Sequence, residues 1–256
     1  MDVITALRRN LMSTGRWYAV FLCLLCNVID GLDLLLASYA LPHLPATFAT
    51  AEEKGLLISL GFVGMAFGSI VLSPLADQVG RRNLIVLSLL VSTLAMAATA
   101  AAPWMELALA GRLVTGVAVG TVTPLSFVLA DEYASESRRS FCVGIVALGF
   151  PVGSTLGGAI GLLAISSFGG AWQALYWFGA LLSFVVFLIV YVSLPESLGY
   201  LVNRKPRDAE RRVARIVARM RLGDVDLTKT PQTTEAESRT TRKAASCRPA
   251  TGAGPC

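Results

Sequence analysis

Six long apolar runs separated by short polar stretches dominate the chain, at about Trp17–Leu41, Leu56–Ala76, Leu84–Ala102, Met105–Leu129, Phe141–Ile165 and Trp172–Leu194. Each has roughly the 20 residues that an α-helix needs to cross the 30 Å hydrocarbon core of a bilayer. The first run is too long for a secretory signal, carries aspartates in its middle and leads straight into further runs, so it is expected to stay in the mature protein. The pattern predicts an all-α membrane protein, a six-transmembrane-helix bundle over 17–194. Residues 1–16 form an N-terminal segment before it. After Lys205 the pattern changes: Pro206 suits a first helical position, Asp208 and Glu210 suit the positive helix end, and Val213, Ile216, Val217 and Met220 share one face. The segment 195–221 is therefore read as a short connection and a basic amphipathic helix, lying on the membrane surface, against the bundle ends or in solvent. Residues 222–256 have few large apolar side chains and no aromatics, a composition that predicts a disordered polar tail.

Composition agrees with the pattern. Hydrophobic residues make up 54% of the chain and charged ones 15%, against about 25% charged in soluble domains. The basic residues are segregated. Arg8, Arg9 and Arg16 precede the first run, Arg81 and Arg82 follow the second, Arg138 and Arg139 follow the fourth, and a cluster from Arg204 to Arg221 follows the sixth. The alternate loops hold only Lys54. Because Lys and Arg in short loops stay cytoplasmic, both termini are expected inside, in a multi-pass protein of the cytoplasmic (inner) membrane. The net charge of +5 follows from this bias and favours anionic lipid, with no nucleic-acid partner implied.

Glycine spacing indicates how the runs pack. Gly149, Gly153, Gly157 and Gly161 recur every four residues in the fifth run, and Gly64/Gly68 and Gly116/Gly120 repeat the interval in the second and fourth. Such stripes let helix backbones approach closely. Pro151 within the fifth stripe predicts a kink. Cys23 and Cys26 form a CxxC inside the first run and read as small packing residues. With His43 the only histidine, a His-containing metal cluster is excluded, and no nucleophile–base pair for an enzyme is apparent.

Three ionisable residues lie deep in the runs: Asp30, Asp33 and Arg112. A charge there costs at least about 2.5 kcal/mol, so such residues face a partner or a cavity and are functional by default. The two aspartates share a helical face, and Gly31 between them permits close approach of a ligand or helix. At 1.5 Å per residue, Asp33 and Arg112 both sit about 12 Å from the outer boundary and Asp30 about 16 Å. Asp33 and Arg112 are expected to meet. Two carboxylates against one arginine leave one that must take up a proton or another cation.

The loop after the second run reads SPLADQVGRRN, and its Asp77, Gly80, Arg81 and Arg82 resemble the signature G-x-L-A-D-[RK]-x-G-R-[RK] of the major facilitator superfamily. Ser73 stands where glycine is usual and Gln78 where a basic residue is usual. RLVTGVAVG from Arg112 resembles the family's R-x-x-x-G-x-x-x-G, and Glu132, Arg138 and Arg139 resemble its E-x-x-x-x-x-R-R pattern. LPESLGYLV resembles the PES-x-x-[FY]-L element. D-G-x-D at Asp30 to Asp33 is similar to the mark of the aromatic acid:proton symporters.

The resemblance implies proton-coupled symport of a small aromatic organic acid, with Asp30, Asp33 and Arg112 carrying substrate and proton and no cofactor beyond the proton gradient. It implies a cytoplasmic gate in which Asp77 bonds across the interface between two halves, Arg81 or Arg82 pairs with Glu132, and Glu196 pairs with Arg138 or Arg139. Another organic acid or a sugar is the alternative substrate class. The family's unit is two six-helix bundles, and this sequence supplies one. A truncated half is the first expectation; a homodimer, a separate second half, or a non-transporting six-helix fragment are the alternatives.

Overall fold

The computed structural model describes residues 12–167 and 171–196, and these form six long helices with no strand. They are α1 (Thr14–Ala40), α2 (Ala51–Phe67), α3 (Arg81–Ala100), α4 (Met105–Tyr133), α5 (Arg139–Ser167) and α6 (Trp172–Ser193). All six are long and apolar enough to cross a membrane, α2 with its continuation to Val79. The basic helix expected over 206–221 and the tail over 222–256 lie outside the described residues.

The starts and stops follow local chemistry. A capping box opens α2: the Thr50 side chain accepts from the Glu53 amide, and Glu53 accepts from the Thr50 amide. Lys54, the lone basic residue of the alternate loops, donates to the Leu44 carbonyl at 2.7 Å. At its other end α2 widens into a π-turn (Gly68–Leu72) and tightens into a 3-10 turn (Ser73–Leu75). Pro74, which has no N–H to donate, accounts for the irregularity. One more helical turn, Ala76–Val79, ends at Gly80, whose φ of 103° is open to glycine and strained for other residues. That turn delivers Arg81 and Arg82 to the start of α3.

Between helices in lipid there is little hydrophobic driving force, so close backbone packing and polar contacts must hold the bundle. The main pairings are α1 with α5, α2 with α4, and α3 with both α4 and α6. The first two depend on the glycines. A Cβ at Gly153 would collide with the backbone of Val28, and one at Gly31 with the backbone of Phe150, so α1 and α5 each offer the other a bare surface. Gly64 and Gly68 meet Leu113 and Val117 in the same manner, while Gly116 and Gly120 meet Gly61 and Met65. The pairs α1/α5 and α4/α2 exchange when the first three helices are mapped onto the last three, the pattern of an internal three-helix repeat.

This packing encloses some helices more than others. Over their apolar stretches α1, α4 and α3 are 67%, 61% and 56% buried, against 39% for α6, 28% for α5 and 22% for α2. Large apolar side chains such as Ile70, Leu163 and Val192 point outward, where lipid replaces water as the surrounding medium. Cys23, Cys26 and Cys142 are buried free thiols, consistent with a packing role.

Several boundaries differ from the sequence-based expectation, α2 starting at Ala51 rather than Leu56 and α4 ending at Tyr133 rather than Leu129, and one of them carries chemistry. Helix α1 starts at Thr14 rather than near Trp17, and Arg16, read from sequence as a loop charge, lies within the helix and is fully buried. Its Nε donates to the carbonyl of Tyr133 at 2.7 Å. A hydrogen bond to the negative end of α4 lets an arginine enter the bundle.

Candidate functional site

Helix α1 carries Asn27, Asp30 and Asp33 at three-residue intervals, a spacing that keeps all three on one side. Helix α4 crosses that side and answers each of them. Arg112 Nη1 donates to Asp33 Oδ1 at 2.7 Å, Thr123 Oγ1 to Asp30 Oδ2 at 2.7 Å, and Asn27 Nδ2 to Ser126 Oγ at 2.6 Å. Asp30, Asp33 and Arg112 are all buried. The structure thus places Arg112 on Asp33 and leaves Asp30 without a cation of its own, held by a neutral hydroxyl.

The ion pair has further neighbours. Tyr176 of α6 places its ring 5.9 Å from the Arg112 guanidinium carbon, within cation–π range. Arg112 Nε and the Tyr176 hydroxyl are buried and make no hydrogen bond among the described residues. The arginine therefore has donor capacity that Asp33 does not use. A carboxylate accepts well from a planar guanidinium, so this corner is suited to an organic anion.

Beside Gly31, α5 comes close enough for Ser154 Oγ to donate to the Gly31 carbonyl at 3.2 Å. The glycine between the aspartates serves helix contact.

A second cluster occupies the ends of the helices near Gly80. Arg81 pairs with both Glu132 and Asp77, the latter at 3.1 Å. These acids offset the cost of a cation at the positive N-terminus of α3. Arg82 places its Nε 2.6 Å from the Leu194 carbonyl and its Nη2 2.5 Å from that of Tyr191, at the negative end of α6. Glu196 accepts from the Arg82 backbone amide at 3.1 Å, and Tyr133 donates to the Glu196 carbonyl at 2.5 Å. Arg139 is paired with Asp131, and Arg138 lies in the exposed 3-10 turn Glu136–Arg138. Within the bundle, then, Asp77 serves Arg81, and Arg82 acts on α6 while Arg81 serves Glu132.

Asn27, Thr123, Ser126 and Tyr176 were not singled out from sequence, nor were Asp131 and Tyr133. Asn27 was the most accessible signal, three residues before Asp30 on the same face.

The comparisons agree with this architecture. The Major Facilitator Superfamily model matches residues 23–245. The 4-hydroxybenzoate transporter PcaK of Pseudomonas aeruginosa is 32% identical over 212 residues, which cover 82% of this chain and 47% of that protein. A gallate transporter of Pseudomonas putida is 31% identical over 207 residues, covering 80% and 45%. The chain spans about half the length of the curated relatives it matches. Among solved structures, the proton:xylose symporter XylE superposes with a TM-score of 0.72 at 16% identity, over 82% of this chain and 51% of that chain. With six apolar helices in this arrangement and the family model matching most of its length, the chain is an integral membrane protein that belongs to the Major Facilitator Superfamily.

Proposed function

We propose that this bundle is half of a secondary transporter that moves a small aromatic organic acid together with protons. The observation that carries the reading is the Asp33–Arg112 pair with Asp30 one turn away on the same helix. The similarity to transporters of 4-hydroxybenzoate and gallate supports an aromatic acid as the substrate class. With both carboxylates ionised, the three groups carry one net negative charge, and one proton makes them neutral, carried by Asp30 while Arg112 holds Asp33. A substrate carboxylate that takes Arg112 from Asp33 leaves Asp33 to accept a proton, which links the two cargoes. Alternating access then carries both across as the bundle rocks against a second one.

The cluster around Gly80 fits the cytoplasmic side in this scheme, with both termini inside an inner membrane, because arginine dominates that face. Asp77, Gly80, Arg81, Arg82, Glu132, Arg138, Arg139 and Glu196 would hold that side closed and part as it opens. Asp77, 72% exposed at its side chain, retains the freedom to bond to a partner bundle. A path facing α1 and α4 needs such a bundle, on the same chain or another. The half-length match to the relatives favours this requirement over a bundle that transports alone.

Uptake of labelled 4-hydroxybenzoate into proteoliposomes, with and without a co-reconstituted second bundle, tests the proposal. Uptake should rise as the outside is acidified and should collapse when the proton gradient is dissipated. Uptake that is indifferent to both treatments, or unchanged in D30N and D33N, overturns the proton role.

A further inference from the structure

The contact between Asp30 and α4 is unlike the other threonine contacts in the bundle. Thr99, Thr115, Thr121 and Thr155 each bond the carbonyl four residues back on their own helix, an ordinary local habit. Thr93 does the same and adds a neutral neighbour, Ser183. Thr123 Oγ1 lies 3.0 Å from the Val119 carbonyl and 2.7 Å from Asp30 Oδ2, so its hydroxyl stands between its own helix and an ionisable group.

A hydroxyl has one proton to donate. Against an ionised Asp30 it must donate either to the carboxylate or to Val119. When Asp30 is protonated, the carboxyl donates to Thr123 Oγ1 and the hydroxyl donates to Val119, so both bonds form in series. The protonation state of Asp30 therefore sets which bonds α4 can make at this turn.

The turn itself is the weak one. Pro124 has no N–H, which denies the Gly120 carbonyl its usual donor and leaves α4 short of a hydrogen bond beside Thr123. Asn27 grips the far side of the proline through Ser126, whose hydroxyl also donates to the Thr123 carbonyl at 2.7 Å. Asn27 and Asp30, one turn apart on α1, thus hold Thr123 and Ser126 on either side of Pro124. Among the described residues, the titratable groups that face Asp30 are Cys26 and Asp33 on α1, and Asp33 in turn holds Arg112 of α4, whose guanidinium lies over the Tyr176 ring of α6. Where α5 approaches, at Gly31, it brings Phe150 and Ser154 and no charge.

We propose that Thr123 is a positioning residue that transmits the protonation state of Asp30 to the Pro124 turn of α4. The inference rests on the reading of Asp30 as a proton carrier. It names the element that feels the proton.

Hydrogen exchange of the full chain in nanodiscs, followed over Val119–Ser126 in wild type, D30N, T123V and D30N/T123V, tests it. D30N stands for neutral Asp30 and should change exchange in this segment about threefold or more, an effect that the T123V background should abolish. T123S retains the hydroxyl and should preserve the response, which a merely space-filling role would not require. If T123V does not reconstitute, T123C, whose thiol is a weak donor, replaces it. A D30N effect of equal size in both backgrounds, or none in either, overturns the proposal. Additive exchange together with Asp30-dependent, pH-dependent uptake overturns Thr123's role and keeps the transport reading. Non-additive exchange with uptake indifferent to D30N keeps the Thr123 linkage and overturns the transport reading.

Discussion

The same residue types, Arg with Asp or Glu, build two clusters that differ in surroundings. At the centre of the bundle, Arg112 and Asp33 are 4% and 7% exposed at their side chains. At the helix ends near Gly80, Arg139 is 55% exposed and Asp77 72%. Water can replace the partners of Asp77 and Arg139 in the second cluster. It cannot easily do so in the first, where a charge left alone keeps its desolvation cost. The central pair is thus a commitment of the fold, whereas the exposed pairs of the end cluster can be broken at small cost. The proposed function asks for that division of labour, between a fixed site and a gate.

The strongest way to break this comparison is to remove one central partner. R112M leaves Asp33 buried without its cation and should destabilise the bundle by about 3–5 kcal/mol, read by denaturant unfolding in micelles. R112M/D33N should recover much of the loss. If R112M alone were neutral, the centre would be wetter than its burial implies. E132Q acts on the intermediate case, where Arg81 and Glu132 are 18% and 20% exposed, and should cost only about 1 kcal/mol. D131N, at the exposed Arg139 pair, should leave the unfolding midpoint unchanged within error. Salt sharpens the contrast further: at about 1 M, where the screening length is about 3 Å, the E132Q difference should shrink and the R112M difference should persist.

The sequence carried the large features because they depend on composition and simple spacing. Apolar length gave six helices, and rise per residue put Asp33 and Arg112 at one depth. The partner of Asp30 was not legible for a physical reason. A threonine in an apolar run satisfies its hydroxyl on its own backbone, so Thr123 looks like Thr115 or Thr121 until helix rotation is known. Tyr176 is similar, since an aromatic in α6 gives no sign that it faces Arg112. The loop arginines were legible as charges but not as bonds. Arg82 and Arg139 took a helix end and Asp131 because helix packing, rather than charge count, decides which acceptor is near.

Arg82 also has a history during synthesis. Its acceptors on Leu194 and Tyr191 lie 112 and 109 residues later in the chain. At about 5–20 residues per second the arginine is made roughly 5–20 s before them. Throughout that interval the guanidinium lacks those acceptors, and in the proposed orientation its charge would hold the α2–α3 hairpin on the cytoplasmic side. Once α6 arrives, the same guanidinium closes on its last carbonyls. In that orientation one side chain would serve first as an anchor for insertion and afterwards as a clasp for the finished bundle.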